Sequence, residues 1–431
     1  MDVTPGRRAA LAALAASGRG RRLDRALARS ARGLHGRERR FAHELAYGTV
    51  RLRGRLDHLL ALQLDRGLDG LEPRLLDILR LGAYQLLHLE VPDYAAVSQA
   101  VGLAPRRAAG LVNAVLRAVA RVGEDPALFP DPDADPAAWL AAWGSHPRWL
   151  VDRWLARWTV AEVTELVRQD NEVPPVTLRL LQHDPDEAVA RLTEVGVQAH
   201  PVGAGIRCVE LAPGTSPGRA LAVLPAIVQD PGAALVVDYV DPPGGDWIAD
   251  LCAAPGGKAL ALAARGAFVL AADRSLPRLR VLRANVARTG LPVATVAASA
   301  ERPPLSSAPV VLLDVPCTGT GTLRRHPDAR WRLAPGDPAL LARVQDRILE
   351  GAQALVPSGG LLVYSTCTLE PEENQARVDA FLRRHPEFHF EPTDAVDGSY
   401  RDTEGRLTVL PWRAGFDGAF AARLRRTPGH G

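Results

Sequence analysis

Two cysteines fifty residues apart, Cys317 and Cys367, each close an apolar, β-branched run. The first run is Val310-Val311-Leu312-Leu313-Asp314-Val315-Pro316-Cys317 and the second is Leu361-Leu362-Val363-Tyr364-Ser365-Thr366-Cys367. Runs of this kind read as parallel strands buried on both faces. Ligands of open α/β sheets bind just beyond the carboxyl ends of such strands, so both thiols should meet one crevice. Upstream, Asp250-Leu251-Cys252-Ala253-Ala254-Pro255-Gly256-Gly257-Lys258 reads as a strand entering a glycine turn, where backbone can approach a ligand closely. Asp273 closes the next strand, where an acid would grip ribose hydroxyls. The loop lacks G-x-G-x-x-G, so no dinucleotide is indicated. S-adenosylmethionine, an adenosine cofactor with one carboxylate, suits both features. Two thiols beside a cofactor loop point to covalent group transfer, with inert buried thiols as the bland alternative.

The chain has 431 residues, room for two or three domains, and its 47% apolar content excludes disorder. Four cysteines make no disulfide framework and suit a reducing cytoplasm. No run approaches the roughly 18 apolar residues of a membrane helix. Ala9 to Ser17 after Arg7-Arg8 only loosely imitates a secretory signal.

Residues 1–60 carry fourteen Arg against five acids, net +9 in a chain of net +3, which suits either phosphate neutralisation or a solvated face. Lys258 is the single lysine among 52 basic residues, so its place demands a compact ammonium rather than a planar guanidinium. Arg324, Arg325, His326, Asp328, Arg330, Trp331 and Arg332 set cations beside an indole, a mix that suits phosphates and a base.

Around these residues, periodicity predicts helices over 6–122 and a proline- and acid-rich linker over 123–136. Trp139, Trp143, Trp149, Trp154 and Trp158 fall on short helices and suit packing better than base stacking. Residues 174–212 read strand, helix, strand, with Cys208 as plain core. From 226 on, strands near 247–251, 267–272, 293–298, 310–315 and 360–366 alternate with helices, followed by an antiparallel pair at 407–410 and 419–424. The expected domains are 1–122, 137–225 and 226–431, joined by the linker.

The motif from Asp250 to Lys258, Asp314-Val315-Pro316-Cys317, His326-Pro327-Asp328 with Trp331, and Ser365-Thr366-Cys367 with Pro371-Glu372-Glu373-Asn374 resemble the RNA cytosine-C5 methyltransferases, most closely the RsmB (Sun/Fmu) family acting on 16S ribosomal RNA. The resemblance covers nearly the whole chain, and Val228-Gln229-Asp230 and Asp417-Gly418 also fit. It implies an all-α NusB-like RNA-binding domain, a small α/β connecting subdomain of RRM or ferredoxin type, and a Rossmann-like, seven-stranded S-adenosylmethionine-dependent methyltransferase domain. It implies that Cys367 attacks the base and Cys317 serves release; sequence alone does not choose between them. Asp314 would sit near both cofactor and target base, with Cys252, Ala253, Ala254, Pro255, Gly256, Gly257, Lys258 and Asp273 as cofactor contacts. Many relatives carry an acid near the adenine where this chain has Ser299 or Ala300, with Glu301 as a substitute. Expected with it are a ribosomal RNA or small-subunit particle as partner, no metal, no membrane, a monomer and a cytoplasmic location. The alternatives are the same chemistry on tRNA or another RNA, and a non-catalytic RNA-binding factor.

Overall fold

A computed structural model of the protein describes residues 3–242 and 247–428. Contacts divide the chain into two units, Met1–Val173 with Leu323–Pro335, and Pro174–Thr322 with Gly336–Gly431.

The first unit is helical. Helices Pro5–Gly18, Leu23–Ser30, Gly36–Arg51, Arg53–Ala61, Pro73–His88, Asp93–Leu103 and Ala109–Val122 match the periodicity read over 6–122. Proline opens the first and fifth of these, where its missing N–H and fixed φ cost nothing. Ala10, Leu11, Ala13 and Leu14 of the signal-like run are buried in the shared core with Leu45, Ile78 and Leu116. That run is a core helix.

Sequence grouped residues 137–173 with the following α/β segment, but their contacts lie in the helical unit. The expected linker is fastened: Phe129 stacks on His58 and meets Trp143 edge-on, with ring centroids 4.9 Å apart in both pairs. Trp154 is fully buried against His146, as a packing residue. Trp143 lies under the Arg55 guanidinium, 4.0 Å from its ring centroid.

Within the excursion Leu323–Pro335, the reading of Arg330 as a phosphate ligand and of Trp331 as a base platform is corrected. Arg330 is fully buried. It donates to the carbonyls of Arg51, Ser145 and Asp170 and to Asn171 Oδ1, at 2.8–3.4 Å. Burial pulls its pKa down to about 10. Trp331 Nε1 donates to the Val50 carbonyl at 2.8 Å, and Asp328 accepts the Leu23 N–H at 3.1 Å. A planar donor fork that collects carbonyls from three places is a staple.

The second unit holds two sheets. In the smaller, β1 (Val176–Leu180), β2 (Ala199–Pro201), β3 (Cys208–Leu211) and β4 (Ala226–Val228) are ordered β2-β3-β1-β4, all antiparallel. Sequence reading missed β2 and β4, each three residues long and too short to show alternation. β4 carries this sheet past the boundary expected at 225. Cys208 is fully buried, as expected.

The larger sheet comprises β5 (Ile248–Asp250), β6 (Val269–Asp273), β7 (Val293–Ala297), β8 (Val310–Asp314), β9 (Leu361–Thr366), β10 (Phe388–Phe390), β11 (Leu407–Val409) and β12 (Ala419–Arg426). The sheet has eight strands in place of the seven expected: β10-β12-β9-β8-β5-β6-β7 form one path, β11 pairs with β12, and the three-residue β10 was not read from the sequence. β9-β8-β5-β6-β7 is parallel, while β12 runs antiparallel to β9. Alternate residues of β8 and β9 enter separate cores: Val310, Leu312, Leu361 and Val363 in one, and Val311, Leu313, Leu362 and Tyr364 in the other. Each large side chain so buried contributes about 1.5–3 kcal/mol, which is why these strands are apolar throughout. Chain order turns outward in both directions from β5 and β8, so the crevice of this sheet opens between them.

Arg330→Met keeps most of the volume but leaves four acceptors unpaired. It should lower the opening free energy of helix Val160–Asp170, measured by hydrogen exchange in the full chain, by about 3 kcal/mol.

Candidate active site

The carboxyl ends of β6, β5, β8 and β9 stand side by side and carry, in that order, Asp273, the glycine loop, Asp314 and Cys367. Asp314 is paired in register with Ser365, so the chain continues from adjacent strand ends into Cys317 and Cys367. Their sulfurs lie 3.4 Å apart, and both residues are half-buried. Gly321 permits the approach of the two loops. A Cβ there would come within 2.8 Å of the Cys367 carbonyl and of Gly418 Cα, a contact no side chain tolerates.

Asp314 is the hub between thiols and cofactor loop. Its Oδ2 accepts from Lys258 Nζ at 2.7 Å and its Oδ1 from the Ser365 hydroxyl at 3.1 Å. Burial lowers the Lys258 pKa, but the Asp314 carboxylate more than offsets this and the net shift is upward. Cys367 also lies within electrostatic reach of that ammonium. The hydrogen bond with Cys367, and then burial, push the Cys317 thiol well above its ordinary range. The two sulfurs share a hydrogen bond in which either can donate. That contact is not visible in the sequence.

The glycine loop is closed tightly. Gly256 has φ +108°, and a Cβ on it would lie 2.8 Å from Leu282 Cγ. Asp273 Oδ2 accepts the Ala254 N–H at 3.1 Å, its Oδ1 accepts the Ser275 N–H at 2.8 Å, and Arg278 stands 3.5 Å away. Asp273 thus shapes the loop. Cys252, Ala253, Ala254, Pro255, Gly256 and Gly257 line this turn between β5 and the helix Gly257–Ala263. Among the described residues, no group of three or more potential ligands for a metal occurs.

Two carboxylates, Asp250 and Glu373, escaped the sequence reading as site residues, and the expectation for Glu301 is corrected. Asp250 is fully buried, with Oδ1 on the Cys252 N–H at 3.3 Å and Oδ2 unpartnered. Burial, followed by repulsion from Asp314, pushes its pKa up to about 7. Glu301 is not turned to the cofactor loop but pairs with Arg347 at 3.4 Å, and Ala300 is buried core. Glu373 is buried among donors from both thiol loops. A carboxylate six residues beyond a strand-end cysteine was the available signal.

Three family models match the chain: NusB family over residues 4–121, an RsmF/B-like ferredoxin-like domain over 146–216, and 16S rRNA methyltransferase RsmB/F over 237–425. The chain is 37% identical to ribosomal RNA small subunit methyltransferase B of Thermus thermophilus, covering 94% of this chain and 92% of that one. It is 33% identical to the protein of the same name from Pseudomonas putida, with 90% of each covered. A crystallised methyltransferase homologue from Pyrococcus horikoshii superposes with a TM-score of 0.57 at 25% identity, covering 69% of this chain and all of that one.

Asp250 carries a pH signature. Its folded pKa lies above the ordinary 3.8, so the folded state holds the proton longer and stability falls as pH rises from about 4 to about 7. Denaturant unfolding at pH 5 and pH 8 should show wild type losing roughly 3 kcal/mol more than Asp250→Asn across that interval.

Proposed function

The chain belongs to the RsmB/F family of 16S rRNA methyltransferases, and on that premise we propose that it methylates C5 of a cytosine in 16S ribosomal RNA through a covalent cysteine–C6 adduct. It is an S-adenosylmethionine-dependent RNA methyltransferase. The observation that carries the covalent reading is the thiol pair, 3.4 Å apart beside the Lys258–Asp314 ion pair.

C5 of cytosine is a weak nucleophile until something adds at C6. In this reading Cys367 adds there as a thiolate, supported by the Cys317 S–H and the Lys258 ammonium. Addition makes C5 enamine-like. When bound, S-adenosylmethionine supplies the electrophilic methyl group that this carbon takes. Cys317, once its own proton has passed to the cytosine ring on addition, takes the C5 proton; the electron pair of that C–H bond re-forms C5=C6 and expels the Cys367 sulfur as thiolate, and the ring proton leaves to solvent. Asp314 is oriented by Ser365 and Lys258, and its remaining lone pairs accept from the cytosine edge.

The residues present fit the cofactor. A glycine turn that no side chain can fill, Asp273 with spare lone pairs, and a lysine–aspartate pair form a donor and acceptor set for a nucleoside diol and an amino-acid end. Lys258, Asp273, Asp314 and the loop residues 252–257 would hold it. The excess of arginine in residues 1–60 supports an RNA-binding role for the helical unit. Free 16S RNA or a small-subunit particle is the substrate in this reading. A cytoplasmic location follows from that substrate, and we take the chain to act as a monomer.

Methyl transfer from labelled S-adenosylmethionine to 16S RNA tests the activity, and intact RNA binding with no incorporation overturns it. Cys367→Ala should lower turnover on the order of a thousandfold or more and form no adduct. Cys317→Ala should leave RNA covalently bound to the protein, visible as a denaturation-resistant band on a gel. Exchanged outcomes overturn the assignment of the two thiols.

A further inference from the structure

The Glu373 side chain is not used in the chemistry above, yet it is fully buried where both thiol loops converge. Its Oε1 accepts the Thr318 N–H and Gln345 Nε2, each at 2.9 Å. Its Oε2 accepts from the Thr318 hydroxyl and lies 3.2 Å from Thr368 Oγ1. Thr318 directly follows Cys317, and Thr368 directly follows Cys367. The two threonine hydroxyls also meet at 2.6 Å. Gln345 reaches back to the Pro316 carbonyl at 3.0 Å, so Cys317 is tied on both sides.

The carboxylate is itself held. Tyr364 of β9 donates its hydroxyl to the Glu373 carbonyl at 2.6 Å, and Asn374 donates to the Thr368 carbonyl at 2.9 Å. Oxygens with four convergent donors leave little rotational freedom, and of the network's side chains Gln345 alone keeps a buried unpartnered atom, its Oε1.

We propose that Glu373 is a positioning residue: by holding Thr318 and Thr368 on one carboxylate it sets the separation of Cys317 and Cys367. Control of that separation to within an ångström matters because the thiol that donates and the thiol that attacks must stay in hydrogen-bond contact until addition. The catalytic consequence rests on the reading of Cys367 as nucleophile. The separation itself does not.

The test has two arms. In the first, full-length protein without RNA or cofactor is treated with diamide. The reagent takes two electrons and two protons from the two thiols, an S–S bond forms, and the reagent becomes the hydrazine. Peptide mass spectrometry follows the Cys317–Cys367 linkage. Glu373→Gln replaces one acceptor oxygen by an amide facing donors, and Thr318→Val removes one hydroxyl while keeping shape and backbone N–H. Both should slow linkage on the order of tenfold. Thr318→Val carries the test if Glu373→Gln fails to fold. An unchanged rate in the folded variants overturns the proposal.

In the second arm, steady-state methylation should show kcat lowered on the order of tenfold or more, with KM for RNA and for S-adenosylmethionine within about twofold. Equal losses through KM overturn a positioning role in favour of a general structural one. Slowed linkage with unchanged kcat leaves the clamp standing and overturns the role of Cys367 instead.

Discussion

The pairing of β8 with β9, parallel and in register from Val310 with Leu361 to Asp314 with Ser365, is the constraint on which the site depends. Parallel neighbours end at the same edge of a sheet, so whatever follows each strand emerges beside its partner. Here Cys317 follows β8 and Cys367 follows β9. A shift of one residue in either strand would send every side chain to the opposite face and break both cores. The apolar alternation that divides β8 and β9 between two cores therefore also protects the thiol contact. Stability and chemistry are specified by the same residues.

Buried charge is handled differently at three points along this edge. Lys258 and Asp314 stand as a matched pair, which keeps the ammonium charged in spite of its burial. Asp250 has no such partner, and its carboxyl is driven toward the neutral form. Glu373 is surrounded by neutral donors in place of a cation; their hydrogen bonds favour the carboxylate, but burial outweighs them and its pKa is raised. Polar groups of this kind cost free energy wherever they are left incomplete, so their concentration around two sulfurs marks the place where geometry is most tightly held.

Arg330 shows how composition misleads. Arginines beside tryptophan and histidine read as a nucleic-acid surface because guanidinium and indole suit phosphate and base. The same planar fork is equally suited to backbone carbonyls, and Arg330 takes three of them and the Asn171 amide oxygen inside the helical unit. Trp331 likewise spends its N–H on Val50. A motif of donors does not say which acceptors it meets.

The sequence by itself determined the helical character of residues 6–122, the alternating strands and helices from 247 onward, the cofactor loop, and the two thiols at strand ends. Periodicity, glycine turns and apolar run length are local, and local signals survive in one dimension. The three-residue strands β2 and β4 were not legible, because pairing across a sheet and not pattern defines them. Neither was the hydrogen-bond contact between the thiols. Lys258, Asp314, Cys317, Cys367 and Glu373 span more than a hundred residues of chain. Their protonation depends on ångström-scale distances that only the folded sheet creates, since electrostatic and hydrogen-bond energies fall steeply with separation. Tertiary structure decided that the two sulfurs meet at 3.4 Å beside the Lys258–Asp314 ion pair.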